Sequence, residues 1–178
     1  MSPAATPRTL VFALGANLGE PLTALRAAAT GLSTRLANPR VSAVYATEPE
    51  GGEDQPPYVN AVLAGEGALT PREALALADA LEREAARERP YPGAPRSLDV
   101  DVLFVGDEVV DAPGLRVPHP RWRSRAFVVV PLLDVAPDLV DPESGEAVRD
   151  VARGAGWDSS CFPVVLERGS LLTRTEGA

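Results

Sequence analysis

The chain has 178 residues, 45% of them hydrophobic, which suits one domain with a sizeable core. The formal net charge of -8 argues against non-specific nucleic-acid binding, and no run approaches the roughly 20 apolar residues of a membrane span. All 17 basic residues are arginine, and His119 and Cys161 are the only residues of their types, which excludes lysine-dependent phosphate loops, multi-histidine metal sites and intrachain disulfides.

Four strands are predicted from runs of apolar and β-branched residues that are bounded by turn-forming residues. They cover residues 9–14, 41–46, 58–64 and 95–104. A glycine-containing turn follows the first strand. The third and fourth strands are each preceded by a proline- and glycine-rich loop, at 47–57 and 87–95. Loops of this length are often functional, although either could be a plain connection.

Two amphipathic helices are predicted between these strands. The first begins near Pro21, carries apolar residues at spacings of three and four, and ends at Asn38-Pro39. The second begins at a capping box formed by Thr70 and Glu73. The resulting order of strand, helix, strand, strand, helix, strand is that of a ferredoxin-like α+β fold, an antiparallel sheet with helices on one face. This architecture hosts many functions and supports none by itself.

The remainder of the chain has weaker patterns. A short strand is predicted at 108–110, an apolar segment at 126–133 that stops at Pro137, a helix at 146–153 and a strand at 162–167. Arg121 and Arg125 are four residues apart and would share a helical face. We expect a single domain over residues 1–178, with a core at about 8–140 and a C-terminal extension at 141–178.

The stretch from Pro95 to Phe104 contains two carboxylates inside an apolar run. Because successive strand side chains point to opposite faces, Asp99 and Asp101 share one face, about 7 Å apart, and the apolar residues between and beside them take the other. Mg²⁺ would relieve the repulsion between the carboxylates. The Asp-Val-Asp pattern alone is equally consistent with an edge strand whose acidic face is solvated.

Arginines cluster around this carboxylate pair. They are Arg87, Arg89, Arg96, Arg116, Arg121, Arg123 and Arg125. Guanidinium groups match phosphate oxygens well because they are always charged and bind in a bidentate manner. An acidic protein with this cluster suggests a small polyphosphate and its metal rather than a long polyanion.

Four motifs occur in a fixed order over about residues 10–139. They are ALGANLG at 13–19, TEP at 47–49 with DQPPYVN at 54–60, PRSLDVDVL at 95–103, and VPHPR at 117–121 with RAFV at 125–128. In these motifs the sequence closely resembles the 6-hydroxymethyl-7,8-dihydropterin pyrophosphokinases of folate biosynthesis. That family transfers pyrophosphate from ATP to the hydroxymethyl group of the pterin and releases AMP.

The resemblance implies roles for residues on the nucleotide side of the site. Asp99 and Asp101 would hold two Mg²⁺ ions that bridge the triphosphate, and a loop would close over the site to exclude water. The implied catalytic residues are Arg87, Arg89, Arg96, Asp99 and Asp101. The implied ATP-binding residues are Glu82, Arg96, His119, Arg121 and Arg125, although Arg121 also fits a surface position and Glu82 a solvated helix position.

The resemblance also implies a pterin pocket. Tyr58 and Phe127 match a pair of rings that stack on the pterin, and Asn60 matches an amide that reads its edge. Thr47 and Pro49 belong to the loop that supplies backbone contacts. One departure is Gly93, where many family members have tryptophan, and Tyr91 could cover the pterin instead.

We expect a cytoplasmic protein, since no signal-peptide pattern is visible at the start, and a monomer rather than an oligomer, with no nucleic-acid or membrane partner. Two alternatives stay open. One is another Mg²⁺-dependent, nucleotide-using transferase, and the other is a non-catalytic ferredoxin-like ligand-binding module. Paired aspartates with clustered arginines are more than a simple binding module needs.

Overall fold

The computed structural model of the chain describes residues 6–49, 56–87 and 98–172. The strands are β1 (Arg8–Ala16), β2 (Ala37–Val41), β3 (Val44–Thr47), β4 (Tyr58–Gly67), β5 (Asp99–Val105), β6 (Val110–Ala112), β7 (Leu115–Val117) and β8 (Val164–Leu166). The helices are α1 (Pro21–Ser33), α2 (Pro71–Arg87), α3 (Ala126–Val135) and α4 (Val148–Ala155), and a 3-10 turn covers Trp122–Ser124.

The main sheet is antiparallel in each of its described pairings. Its order is β5-β1-β4-β3-β8, and β2 also pairs with β4. β6 and β7 form a separate two-stranded hairpin. The predicted strand over 41–46 is therefore wrong in one respect, because it is divided into β2 and β3. Ser42 lies at the break, where its backbone N–H donates to the Val62 carbonyl and its hydroxyl accepts from the Val62 N–H.

Helices cover both faces of the sheet. α1 and α2 pack on the face that carries Phe12 and Leu14. α3 and α4 pack on the other face, against residues such as Val11. The expectation of helices on one face holds for α1 and α2 and is wrong for α3 and α4. α3 is apolar on nearly all sides, so its sequence carries no stripe that would assign it to a face.

Several predicted element ends also differ. α1 ends at Ser33, and Asn38-Pro39 lies inside β2 rather than ending the helix. Arg121 and Arg125 flank the 3-10 turn, so they do not share a helical face. The strand predicted at 108–110 is β6, which begins only at its last residue. By contrast, the capping box at α2 is confirmed, since the Glu73 carboxylate accepts from the Thr70 N–H and the Thr70 hydroxyl accepts from the Glu73 N–H.

None of the helices in the described part of the chain combines the length and the apolar composition that crossing a bilayer requires.

Candidate active site

One cleft lies at the end of the sheet where β1 and β3 end and where β4 and β5 begin. The strand register creates it. Gly15 of β1 lies opposite Asp99 of β5 on one side and opposite Asn60 of β4 on the other. Asn60 lies opposite Tyr45 of β3. Directly opposed residues of an antiparallel pair project from the same face, so this row of side chains points towards α3.

The cleft has a volume of about 350 Å³. The sheet forms the floor of the cleft, and the start of α3 forms one wall. The lining residues are Ala13, Leu14, Gly15, Thr47, Glu48, Pro49, Tyr58, Asn60, Ala61, Asp99, Asp101, Arg125, Phe127 and Val128. It therefore joins carboxylates, one guanidinium, an amide and two aromatic rings in a single space.

The acidic side of the cleft is the start of β5. Asp99 and Asp101 line the cleft, while Leu98, Val100 and Val102 are buried in the core beneath α1 and α2. The predicted alternation of faces is confirmed. This alternation follows from the period of two in a strand, because the apolar partners are drawn into the core and leave the carboxylates towards the cleft.

Two basic side chains face Asp101. Its Oδ2 lies 3.8 Å from Nε2 of His119 and 3.8 Å from Nη1 of Arg125. The Asp101 side chain is 43% exposed, whereas those of His119 and Arg125 are 15% and 14% exposed. These distances are longer than direct hydrogen bonds. The Asp101 carboxylate therefore stays accessible to a cation that enters the cleft.

The backbone holds His119 in place. Its N–H donates to the Leu103 carbonyl, at the point where the register of β1 and β5 shifts and Leu103 is the extra residue. Its Nδ1 accepts a hydrogen bond from the Arg121 N–H at 3.1 Å. A neutral ring in this arrangement carries its proton on Nε2, which faces Asp101. Burial lowers the pKa of His119, and the neighbouring arginines lower it further, while Asp101 acts in the opposite direction.

The other side of the cleft is a small polar pocket with aromatic walls. Nδ2 of Asn60 donates to Oγ1 of Thr47 at 2.7 Å, and both residues are buried. This bond fixes the Asn60 amide with Oδ1 directed towards Gly15, where a Cβ would lie only 2.9 Å away. Tyr58 and Phe127 line the same pocket. A flat heterocycle with donors and acceptors along one edge would suit these groups.

Arg125 connects the two sides. Its guanidinium carbon lies 5.4 Å from the centroid of the Phe127 ring, and its Nη1 faces Asp101. This contact with the ring face is favourable for a cation. The guanidinium is consequently held between the acidic strand and the aromatic wall.

The matches to known proteins agree with this geometry. The model of the family 7,8-dihydro-6-hydroxymethylpterin-pyrophosphokinase matches residues 11–137. This chain belongs to that family. It is 42% identical over 134 residues to the 2-amino-4-hydroxy-6-hydroxymethyldihydropteridine pyrophosphokinase of Pseudomonas aeruginosa, covering 74% of this chain and 82% of that protein. The Haemophilus influenzae protein of the same name is 40% identical over 139 residues, covering 76% of this chain and 86% of that protein.

Solved structures agree in fold. The Plasmodium falciparum HPPK-DHPS A437G structure with SDX-DHP superposes with a TM-score of 0.69 at 14% sequence identity. The match covers 86% of this chain but only 46% of the Plasmodium chain. At such low identity the likeness supports the fold alone.

Most of the site residues predicted for the pyrophosphokinase lie together in the cleft. These are Thr47, Pro49, Tyr58, Asn60, Asp99, Asp101, Arg125 and Phe127. His119 reaches the cleft through its approach to Asp101. Arg121 contributes its backbone N–H to the His119 ring and is not a lining residue. Six lining residues were not predicted as site residues. Glu48, Ala61 and Val128 each adjoin a predicted residue, and Ala13, Leu14 and Gly15 belong to the first sequence motif at 13–19.

Glu82 has a structural contact that sequence reasoning missed. Its Oε1 accepts a hydrogen bond from the Val100 N–H at 2.8 Å. Val100 lies between the two cleft aspartates, so the contact holds the backbone that carries both. Arg87 is the last residue of α2, and nothing is described of its side chain. Arg89, Arg96, Tyr91 and Gly93 lie outside the described residues.

Proposed function

We propose that this cleft is the active site at which the pyrophosphokinase transfers pyrophosphate from ATP to 6-hydroxymethyl-7,8-dihydropterin. The acceptor is the hydroxymethyl group and the leaving group is AMP, in a step of folate biosynthesis. One observation carries the assignment. A single cleft joins the carboxylate pair Asp99 and Asp101 to the polar, ring-lined pocket around Asn60, with Arg125 held between them.

Asp99 and Asp101 fit magnesium bound together with a nucleotide. Mg²⁺ is commonly held by one or two carboxylates plus substrate phosphates rather than by a complete protein cage. Accordingly, no group of three or more His, Cys, Asp or Glu side chains comes together within residues 6–49, 56–87 and 98–172. When bound, two such ions would neutralise charge on the triphosphate and orient it.

The protein's own groups on this side position the phosphates. Arg125 and the Nε2 proton of His119 point into the space beside Asp101, where they would donate hydrogen bonds to phosphate oxygens. We assign Arg87, Arg89 and Arg96 to the phosphates and Arg121 to the nucleotide by the same family resemblance. Glu82 would support ATP binding by holding the Asp99–Asp101 strand segment rather than by touching the nucleotide, as its bond to Val100 suggests.

The pterin would lie between Tyr58 and Phe127. Stacking between rings and hydrogen bonding along one edge is how a flat polar heterocycle is held with specificity. The Asn60 amide would read the edge, and Thr47 with Pro49 would supply contacts from the loop after β3. Water exclusion by these walls would strengthen the charge interactions on which the transfer depends.

We also propose that the sheet is the ferredoxin-like antiparallel sheet, since the order β5-β1-β4-β3 fits that plan. Residues 141–178 would be an extension of a single domain, which the pairing of β8 with β3 supports. We propose further that the protein acts as a monomer. Its use of ATP fits the cytoplasm.

Alanine substitutions of the two aspartates test the assignment. We expect Asp99→Ala and Asp101→Ala each to lower kcat by several orders of magnitude, because each removes a carboxylate from the metal and phosphate site. Urea unfolding should remain near wild type, since both side chains face the cleft rather than the core. Asp150→Ala is the matched control, as Asp150 is an exposed aspartate of α4 that does not line the cleft. Near-normal turnover of either cleft variant would contradict the proposal.

A further inference from the structure

A largely buried carboxylate joins three separate parts of the fold behind the cleft. Asp134 lies in the last turn of α3, and its side chain is only 9% exposed. Its Oδ2 accepts from the Ala43 N–H at 3.0 Å and from the Tyr45 hydroxyl at 2.8 Å. Its Oδ1 accepts from Nη2 of Arg168 at 2.6 Å. We call Asp134, Tyr45 and Arg168 the α3 anchor.

On both α3 and β3, a residue of the α3 anchor shares one face of the element with a residue that lines the cleft. Along α3, Phe127, Val130 and Asp134 recur at spacings of three and four and share one face. Along β3, Tyr45 and Thr47 share one face. Tyr45 packs with Val130, and both Phe127 and Thr47 line the cleft. The anchor therefore holds α3 and β3 side by side, and their far ends are opposite walls of the same pocket.

The anchor residues lie close to the cleft-lining residues on the same elements. Asp134 and Phe127 are about 10 Å apart along the helix axis at ~1.5 Å per residue. Tyr45 and Thr47 are about 7 Å apart along the strand at ~3.3 Å per residue. Both segments are regular, packed elements, and the Tyr45 and Asp134 side chains of the anchor are at most 9% exposed, so a shift at the anchor would change the width of the pocket.

The third member comes from outside the region that the family model matches. That match ends at residue 137, whereas Arg168 lies in the turn that follows β8. β8 pairs with β3 through Val44 and Tyr45. The same C-terminal segment is fastened further along, because Arg26 of α1 donates to the carbonyls of Ser170 and Leu171. The extension thus braces the strand that forms the pterin wall.

We propose that the α3 anchor positions the two walls of the pterin pocket, so that Tyr45 and Arg168 control pterin affinity without touching the substrate. This proposal rests on the assignment of the Tyr58–Asn60–Phe127 pocket to the pterin. The anchor acts through hydrogen bonds to the Asp134 carboxylate. Its carboxylate is satisfied by donors from β3 and the C-terminal segment, and each bond fixes the end of α3 relative to one of them.

Steady-state kinetics of Tyr45→Phe and Arg168→Ala test the proposal. We expect the KM for the pterin to rise about three- to tenfold in each variant, as one hydrogen bond to the carboxylate is lost. The KM for ATP and kcat should stay within about twofold, because the acidic strand is on the other side of the cleft. Arg168→Lys, which keeps a positive donor, should recover most of the pterin affinity.

Two controls separate positioning from general destabilisation. Arg153→Ala removes an exposed ion pair with Asp150 on α4 and should change neither KM. Val105→Ala removes buried methyl groups at the end of β5 far from the cleft and should lower stability without a selective effect on the pterin. Arg168 is 63% exposed, so its variant remains informative if Tyr45→Phe fails to fold.

The outcomes are distinct. A selective rise in pterin KM in the anchor variants supports the proposal. An unchanged pterin KM in both, or an equal rise in Val105→Ala, overturns it while leaving the assigned activity intact. If the wild-type protein does not convert the pterin and ATP to products, the assigned activity fails and this proposal fails with it.

Discussion

Gly15→Ala should weaken pterin binding selectively. A Cβ at Gly15 would lie 2.9 Å from Oδ1 of Asn60, a separation that side chains do not tolerate. The Asn60 amide is short and buried against Thr47, so it can yield only by turning and breaking its 2.7 Å bond to Thr47. The substitution thus displaces the group that we assign to the pterin edge.

The expected loss of pterin affinity follows from the hydrogen bond between Asn60 and Thr47. A hydrogen bond contributes about 0.5–1.5 kcal/mol net, and a buried polar group left unsatisfied costs about 1–3 kcal/mol. If bound pterin requires the original orientation of Asn60, binding must overcome this cost. A loss of about 1–3 kcal/mol corresponds to a pterin Kd that is roughly 5- to 150-fold weaker.

Calorimetric titration measures the effect. The pterin is titrated into the protein saturated with a non-hydrolysable ATP analogue, and the analogue is titrated separately into the protein alone. Gly154→Ala is the matched control, because a Cβ there meets no atom within 4 Å and Gly154 lies in α4. A wild-type pterin Kd for Gly15→Ala, or an equal weakening of analogue binding, would contradict this prediction.

Three further predictions concern stability and the metal. Burial and the hydrogen bond to Asp134 raise the pKa of Tyr45 from 10.0 to about 12. Between these values the unfolded chain loses the proton and the folded chain keeps it, so the free energy of unfolding should fall as pH rises by about 1.4 kcal/mol per unit. Urea unfolding at pH 9 to 11.5 measures this fall, and the fall should be shallower in Tyr45→Phe. An equally steep fall in that variant would show that Tyr45 is not the group responsible. Glu82→Ala should lower the free energy of unfolding by about 1–3 kcal/mol and reduce kcat, because the Val100 N–H loses its acceptor. Glu82→Gln keeps an acceptor and is the control. Equal losses in both variants would show that this hydrogen bond is not the cause. Chelation of divalent cations should stop turnover without changing the urea midpoint, because we place the ions with the nucleotide rather than in a protein cage; a lowered midpoint would indicate a structural metal instead.

Local patterns predicted the parts of the molecule that depend on local periods. The alternation that buries Val100 and directs Asp99 and Asp101 to the cleft follows from the strand period of two, and the fold confirms it. The capping box at Thr70 likewise involves only four successive residues, and it forms as predicted.

Features that depend on tertiary contacts escaped prediction. The break at Ser42 arises because its polar groups bond to Val62, twenty positions away in the sequence. The placement of α3 on the second sheet face is not visible in a helix that is apolar all round. The bond from Arg168 to Asp134 joins residues 34 positions apart. No local pattern encodes such a pairing, although the register of β3 and β8 brings it about.

The identity of the nucleotide product distinguishes pyrophosphate transfer from other reactions that use ATP. The protein is incubated with Mg²⁺, ATP and 6-hydroxymethyl-7,8-dihydropterin, and the products are resolved by ³¹P NMR and anion-exchange chromatography. We expect AMP and a pyrophosphorylated pterin in equal amounts, with neither product from Asp101→Ala above background. Formation of ADP with a monophosphorylated pterin, or no dependence of AMP on the pterin, would contradict it.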